Sequence, residues 1–556
     1  MTSQSELTLP SMKVTGIAQD DHNNNWYQLD LSSEKASVTT IIGVHLLDSA
    51  PDSLINAARS LGYAVVGMDR DKLVTLVGTA INKTRGKDLP KFRFATKVGW
   101  TPDLRTFLTP QECYGLPTQK SPAISLGVPS HADYSRAGDI QSWKKSFKNI
   151  LAENPLFIFG SCIAFMPPLL ALVDMAAPTI VFTGETSTGR STLINFIGSL
   201  RGGTPAPILG FQSAFRATAN SLEPLAVSSN DGLLTIDDIR AAPGDERARA
   251  KFIEELIYLI PTGRTKSRAD GSGPPVSFRT VVVTSDNFSL RELLANGKVK
   301  FDESMEVRFI QIAVPAPNGV LGDEGLSREQ RADEIVKIRR RSFRNYGVPL
   351  HEFLTRFLEA LAEDRESFCS SLEERIYRQQ SRLIAGDATN GAGRASAYFG
   401  LAYAAGCFAI DHGILPVTRT QLRDAVALVY EMHLAAKEET KAANPVVLLR
   451  EAILERLDQF MPLPMERGDL SDGDEERVPG FRTGKKGDGD FVFTSTQFDR
   501  LLPREIIGTR MCEALKRRAL LSYDTGSIKT SMKNTKKVRI GGRRARAYCI
   551  SARIAE

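Results

Sequence analysis

Three short apolar runs punctuate the middle of the chain: TIVF at 179–182, LLTI at 233–236 and TVVV at 280–283. Each is too short for a helix and ends at polar residues, so each reads as a strand buried on both faces. Strand and helix alternate over 179–315, which predicts a mostly parallel sheet. Upstream, β-rich runs such as TTIIGVHLL surround one helical pattern, DSLINAARSLGY, and FRFATKVGWTP follows as a further strand. SHADYSRAGDIQSWKKSFKNILAENP then opens a helix, with Ser and Asp as candidate caps. From about Ser327 to Glu439 the spacing turns helical, as in VPLHEFLTRFLEALAEDRESF. Residues 461–490 are rich in Gly, Pro and charge without apolar periodicity, and read as a linker. The chain closes on FVFTSTQFDRLLP, the helix IIGTRMCEALKRRALL, and two strand-like runs, KKVRI and RAYCISARI, around GGRRA. A helix followed by a basic hairpin predicts a winged-helix-like end, and no internal repeat has a fixed period.

One run raises a membrane question. PLFIFGSCIAFMPPLLALV, 155–173, has no charge, but Pro167 and Pro168 split it and Asp174 follows at once. A buried helix packed on the sheet is the expectation, and no membrane association. The full length of 556 residues fits several domains, and 42% hydrophobic with 24% charged residues fits globular protein. Six scattered cysteines exclude a zinc ribbon or a disulfide framework, and with no signal-peptide pattern at the start they suit a reducing cytoplasm. The net charge of +6 is uneven: from Arg500 onward the chain carries +11, leaving −5 for the rest. That asymmetry points to a nucleic-acid-binding tail.

The chemistry sits at TIVFTGETSTGRST, 179–192. A strand runs into Gly184, four residues follow, then Gly189, Arg190 and Ser191, so a phosphate loop is complete except that Arg190 replaces lysine. Its glycines let backbone N–H groups turn toward phosphate oxygens, and the helix beginning near Ser191 points its positive end at them. The nucleotide-binding set is Gly184, Glu185, Thr186, Ser187, Thr188, Gly189, Arg190, Ser191 and Thr192, for ATP with Mg²⁺. Ser191 and Asp237 are the candidate metal ligands, and Asp238 the residue polarising the attacking water, because LLTIDDI delivers two carboxylates at a strand end. Thr284, Ser285 and Asn287 emerge from the third strand; one of them would sense the γ-phosphate, with Ser285 taken as the catalytic candidate. In oligomeric ATPases a basic residue of a neighbouring subunit completes the site, and Arg264, Lys266, Arg268, Arg308 and Arg394 are candidates, Arg268 foremost.

The order GETSTGRST, FRATANSLEPLAVSSND, LLTIDDI, GRTKSRADG, VTSDN and MEVRFI resembles the "domain of unknown function 927" family, as do KVGWTPDLRTFLTP and the 142–172 segment upstream. Members are similar to helicases of bacteria and phages, or to inactivated derivatives of them, with a hexameric AAA+ type of core. The resemblance implies an α/β fold with an AAA+-like P-loop core at 136–326. Around it lie a small α+β region at 1–135, a helical domain at 327–460, the 461–490 linker and a winged-helix-like domain at 491–556. It also implies a DNA-associated, helicase-like ATPase of a mobile element or phage-type replication system, assembled as a ring. The family lysine maps onto Arg190 and the family Asp-Glu pair onto Asp237 and Asp238. Both departures weaken catalysis: guanidinium is longer and more rigid than ammonium, and Asp reaches less far than Glu. Impaired hydrolysis is therefore expected, with a non-hydrolysing DNA-binding scaffold as the alternative. At the basic end Lys516, Arg517, Arg518, Lys536, Lys537, Arg539, Arg543, Arg544 and Arg546 are expected to meet DNA phosphates.

Overall fold

A computed structural model describes residues 9–19, 24–44, 52–95, 97–115, 124–126, 133–206, 210–213, 219–236, 238–239, 244–266, 275–301, 303–316, 318–322, 325–384, 392–441, 445–464, 478–484, 489–501, 508–518, 520–523, 534–541 and 543–555. It divides into two units, Met1–His433 and Leu434–Glu556.

The first unit opens with an antiparallel meander, β1 (Ser11–Gln19), β2 (Asn25–Ser32) and β3 (Ser37–Gly43). Leu29 and Leu31 are two residues apart and so share a face, where they meet Val14 and Ile42. Two helices complete this core, α1 (Asp52–Ser60) through Leu54 and Ala58 and α2 (Gly67–Asn82) through Leu73 and Val77. β4 (Lys91–Ala95) joins β1 in parallel; next comes a small antiparallel sheet of β5 (Gly99–Trp100), β6 (Phe107–Leu108) and β7 (Cys113–Tyr114), and β8 (Ile124–Leu126) then pairs β4.

Asp139 caps α3 (Ile140–Glu153) by accepting from the Gln141 and Ser142 amides at 2.9 Å, as its sequence suggests. α4 (Pro155–Phe165) follows at once, and Pro167–Pro168 turn it into a short 3₁₀ segment. The second sheet alternates with helices: β9 (Thr179–Thr183), α5 (Arg190–Arg201), α6 (Ala219–Ser228), β10 (Gly232–Thr235), α7 (Glu246–Thr262), β11 (Thr280–Asp286), α8 (Leu290–Asn296), α9 (Glu303–Glu306) and β12 (Phe309–Ala313). All four strands are parallel, in the order β10-β11-β9-β12. The fourth strand, FIQIA, adds to the three expected. Five long helices follow: α10 (Arg328–Arg344), α11 (Val348–Glu363), α12 (Arg365–Ile384), α13 (Ala392–Asp411) and α14 (Arg419–Lys441), within which the division of the chain falls.

Every residue of β9 and β11 is buried, so both faces of the sheet are covered. α4 supplies part of that cover. Its residues from Leu156 to Phe165 are all buried, with Phe165 stacked on Phe353 of α11 and Phe159 on Phe399 of α13, ring centroids 4.8 and 4.9 Å apart. The uncharged run is thus a core helix, and among the described residues no helix is long and apolar enough to cross a membrane.

Two family-like motifs, KVGW and SSND, turn out to be partners. The Trp100 amide donates to the Asp231 carboxylate at 3.0 Å, and Asn230 donates to the Val98 carbonyl at 2.8 Å. Arg279 closes on Asp231 at 3.3 Å, while burial pushes the Asp231 carboxyl up against that pull. Gly99 has φ +95, and a Cβ there would stand 2.6 Å from the Asp231 carboxylate, so no side chain fits. The indole of Trp100 then donates to the Pro168 carbonyl at 2.8 Å, tying the small sheet to the end of α4.

The second unit contains α15 (Pro445–Leu454), β13 (Met461–Leu463), β14 (Phe481–Thr483), β15 (Phe491–Phe493), helices Ser495–Leu501 and Gly508–Arg517, and β16 (Leu521–Ser522), β17 (Lys536–Ile540) and β18 (Arg543–Ile550). The sheet order is β13-β14-β15-β18-β16, with β17 also on β18. Here the structure differs from the sequence reading. Both ends of the expected 461–490 linker are strands, β13 and β14, and Phe481 and Leu463 are core residues. α15, expected in the helical domain, packs Val446, Leu449 and Ile453 against Phe491, Phe498 and Met511. The physical boundary thus lies near residue 434, not 491. A fragment 434–556 should unfold cooperatively on heating, whereas 491–556, stripped of α15, β13 and β14, should show no thermal transition by circular dichroism; equal folding of both would refute this boundary.

Candidate functional site

β9 ends at Thr183 and α5 begins at Arg190, so residues 184–189 are one tight loop between a buried strand and a helix N-terminus. Gly184, Ser187 and Gly189 have φ of 148°, 68° and 86°. Such left-handed residues turn successive N–H groups into one concavity, an anion-binding arrangement at the positive end of a helix. Thr188 Oγ1 closes the loop on the Glu185 carbonyl at 2.9 Å, and the Val320 amide braces the Thr188 carbonyl at 2.9 Å. Space is tight: a Cβ at Gly189 would fall 2.6 Å from Val320 and 2.8 Å from Ile335. Glu185, Thr186, Ser187 and Ser191 are exposed, and Thr188 and Thr192 partly so.

Arg190 behaves differently from its neighbours. Its side chain is buried, 7% exposed, and the guanidinium fork reaches the end of β11. Nη1 donates to the Asp286 carbonyl, and Nη2 to Asn287 Oδ1 and to the Glu185 carbonyl, the last at 3.2 Å. Asn287 in turn donates to Thr186 Oγ1 at 3.1 Å. The arginine thereby joins the first turn of α5, the phosphate-type loop and the strand beside it. A single ammonium has no planar fork with which to span these acceptors in the same way.

β11 lies between β9 and β10, so the end of β10 is one strand away from the strand that leads into the loop. Asp238 is half-buried there; Asp237 lies outside the described residues. Of the three polar residues ending β11, Ser285 is 3% exposed within the strand, opposite Phe182, while Asn287 touches the loop. Sequence alone had not separated them, because the contact depends on β11 pairing β9. Arg268 also lies outside the described residues. Lys266 pairs with Glu255 at 3.3 Å, and Arg264 bridges to Ser277. Arg308 and Arg394, far apart in sequence, line one cavity of about 420 Å³ with Ser304 and Val307, and Arg308 donates to the Ser304 carbonyl at 2.7 Å.

In the second unit the basic residues fall on two elements. Lys516, near the end of helix Gly508–Arg517, lies over the Tyr523 ring at 4.4 Å; Arg517 closes that helix and Arg518 follows it, half-buried. Lys536, Lys537, Arg539, Arg543, Arg544 and Arg546 lie on the β17–β18 hairpin, all exposed except Arg546, which is partly buried.

The family "Domain of unknown function (DUF927)" matches residues 4–275. The chain resembles the DUF927 family. That match takes in the phosphate-type loop, the 211–239 block and the KVGW–SSND contact, and ends before β11. Among solved structures, "SCCmec type IV Cch - active helicase" aligns over 100% of this chain and 96% of that one, at 14% identity and a TM-score of 0.57. At that identity the likeness is one of fold: mixed α/β with a parallel sheet and many helices. "The A form apo structure of NrS-1 C terminal region-CTR" covers 96% of both chains at 11% identity, with a TM-score of only 0.28, and carries no argument. No curated protein matches the chain.

If Asn287 holds the loop through Arg190 and Thr186, Asn287→Ala should loosen it. Amide hydrogen exchange at 185–189 should quicken by about tenfold, the equivalent of ~1.4 kcal/mol for hydrogen bonds that include one to a charged group. Unchanged exchange would show that Asn287 holds nothing in place.

Proposed function

We propose that the protein is a helicase-like P-loop ATPase of AAA+ type, working on DNA within a mobile-element or phage-type replication system, with hydrolysis impaired at Arg190. The observation that carries it is the 184–189 loop, whose left-handed residues and helix N-terminus form a cradle for phosphate. The order β10-β11-β9 supports the same reading, because it leaves the acidic strand end and the phosphate loop flanking a polar third strand end. A fold shared with a structure titled an active helicase supports the activity class.

In this reading the loop amides and Ser191 bind the β- and γ-phosphates of ATP, and Asp238 orients the attacking water. The donor set fits Mg²⁺: a hydroxyl exposed at the head of α5 and a carboxylate pair after a buried strand are hard oxygen ligands. Ser191 and Asp237 would hold it, and the bound ion would neutralise charge on the transferring phosphoryl group. Asn287 fits the γ-phosphate-sensing part better than Ser285, because it already contacts the loop. Arg268, Arg308 and Arg394 are the candidates for completing a neighbouring subunit's site in a ring. The second unit, with a helix followed by a basic hairpin, is read as a winged-helix-like DNA contact carrying Lys516, Arg517, Arg518 and cations from the β17–β18 hairpin.

The ties of Arg190 favour a second reading as well, a non-hydrolysing DNA-bound scaffold. A guanidinium committed to Asp286, Asn287 and Glu185 is not placed to follow charge onto a leaving phosphate. Calorimetry with MgATP should show binding that Gly189→Val abolishes and Ser191→Ala weakens. Hydrolysis should be slow in the wild type, and Arg190→Lys with Asp238→Glu should raise it by at least ~10-fold. No binding at millimolar nucleotide would sink both readings; binding with no rise in the double variant would leave the scaffold. DNA affinity should fall by ~10³ between ~50 and ~200 mM salt if about six cations meet phosphates.

A further inference from the structure

The register of the β17–β18 hairpin sorts its cations by face. Lys537 stands directly opposite Arg546, and Arg539 opposite Arg544. Directly paired residues share a face, and so do residues two apart, so these four cations form a two-by-two array on one side. The alternate set, Val538, Ile540, Ala545 and Ala547, faces the core with Leu463, Phe481 and Val492. Lys536 and Arg543 belong to that second face, at its two ends. Lys537, Arg539 and Arg544 are exposed, while Arg546 is partly buried and donates to Thr535 Oγ1 at 3.4 Å.

Like charges placed directly opposite across a strand pair destabilise it, and this hairpin has two such pairs with no acidic residue in either strand. The array also lies on the helix side of the sheet. Tyr548, two residues beyond Arg546, stacks on Phe498 at 4.2 Å, and Ile550 enters the cluster of Met511, Cys512 and Leu515.

We propose that this four-cation face, Lys537, Arg539, Arg544 and Arg546, is the surface on which the second unit binds the phosphate backbone of DNA, and that Lys536 and Arg543 take no part. The inference rests on the reading of the basic end as a DNA contact and goes further by assigning one face. Along each strand the cations recur about every 6.6–6.8 Å, two residues of ~3.3–3.4 Å rise. Bound phosphate then lies between facing cations and offsets their mutual repulsion.

The test uses the full chain and a short labelled DNA, as duplex and as single strand, titrated by fluorescence anisotropy over a salt series. Lys537→Glu/Arg539→Glu is compared with Lys536→Glu/Arg543→Glu, which changes net charge equally. The first variant should weaken binding on the order of tenfold or more and reduce the salt slope by about 2, the second by less than ~3-fold. Melting is the second readout. Lys537→Glu/Arg539→Glu sets opposite charges against Arg546 and Arg544, so its melting temperature should hold or rise while binding falls. Whichever DNA form loses affinity on this face alone supplies the backbone. Equal losses in the two variants would overturn the face assignment in favour of net charge alone. A loss accompanied by a lower melting temperature would overturn it in favour of a structural role. Wild type that binds DNA while neither variant weakens it would overturn the assignment and leave another DNA contact. Wild type that binds neither form at ~50 mM salt would overturn the DNA reading itself.

Discussion

A parallel sheet has no face to spare for water. Its crossover helices cover both sides, and this chain meets that demand with β9 and β11 buried along their whole lengths. Much else follows from the need for cover. α4 is apolar on every side because it lies inside, between α5 and the later helices; Gly160 lets it approach α5 so closely that a Cβ would meet Ile197 at 2.8 Å. The 328–441 helices bring an aromatic set, Phe353, Phe357, Phe399 and Phe408, to close the same core. Only the strand ends are left open, and there Asn287, after β11, meets the loop that follows β9.

What could be read in the sequence was whatever the chain writes locally. Three sheet strands were legible because short strand-prone runs end abruptly at polar residues, and the loop because Gly184, Gly189 and Ser191 keep a fixed spacing. β12 was not recognised as a strand: FIQIA carries a Gln, and only pairing with β9 buries it. The strands β13 and β14 are three residues each inside a Gly- and charge-rich stretch, so their apolar residues matter only once β15 and β18 are beside them. At the site, the identity of Arg190 was plain while its partners were not. Asp286 and Asn287 are almost a hundred residues away and become neighbours through sheet order alone.

Arg190 also shows how one substitution can change the work of a position. A lysine at the head of α5 is a mobile point charge, strongly hydrated, with three donors that rotate freely. The guanidinium is instead a flat bracket whose hydrogen bonds, at about 1.5–3 kcal/mol each for a charged donor, are already directed at protein acceptors. The positive charge beside the loop is kept, as the proposed phosphate site would need. On the proposed reading, freedom to follow a moving phosphoryl group is what the bracket would give up. The KVGW–SSND contact carries a parallel lesson: residues that mark a family resemblance here hold a buried junction together rather than touch the loop.

The uniform apolarity of α4 has a consequence for synthesis as well as for the finished fold. Its partner α13 is encoded more than two hundred residues later, and the stacking of Phe159 on Phe399 cannot form before then. At translation rates of ~5–20 residues per second, the helix waits on the order of ten seconds or more beyond the emergence of its own sequence. During that interval the side of α4 that α13 will cover stays open, an apolar surface on which nascent chains can adhere to one another. Slow emergence and early capture by a holding chaperone would thus govern how much of this protein reaches its folded state.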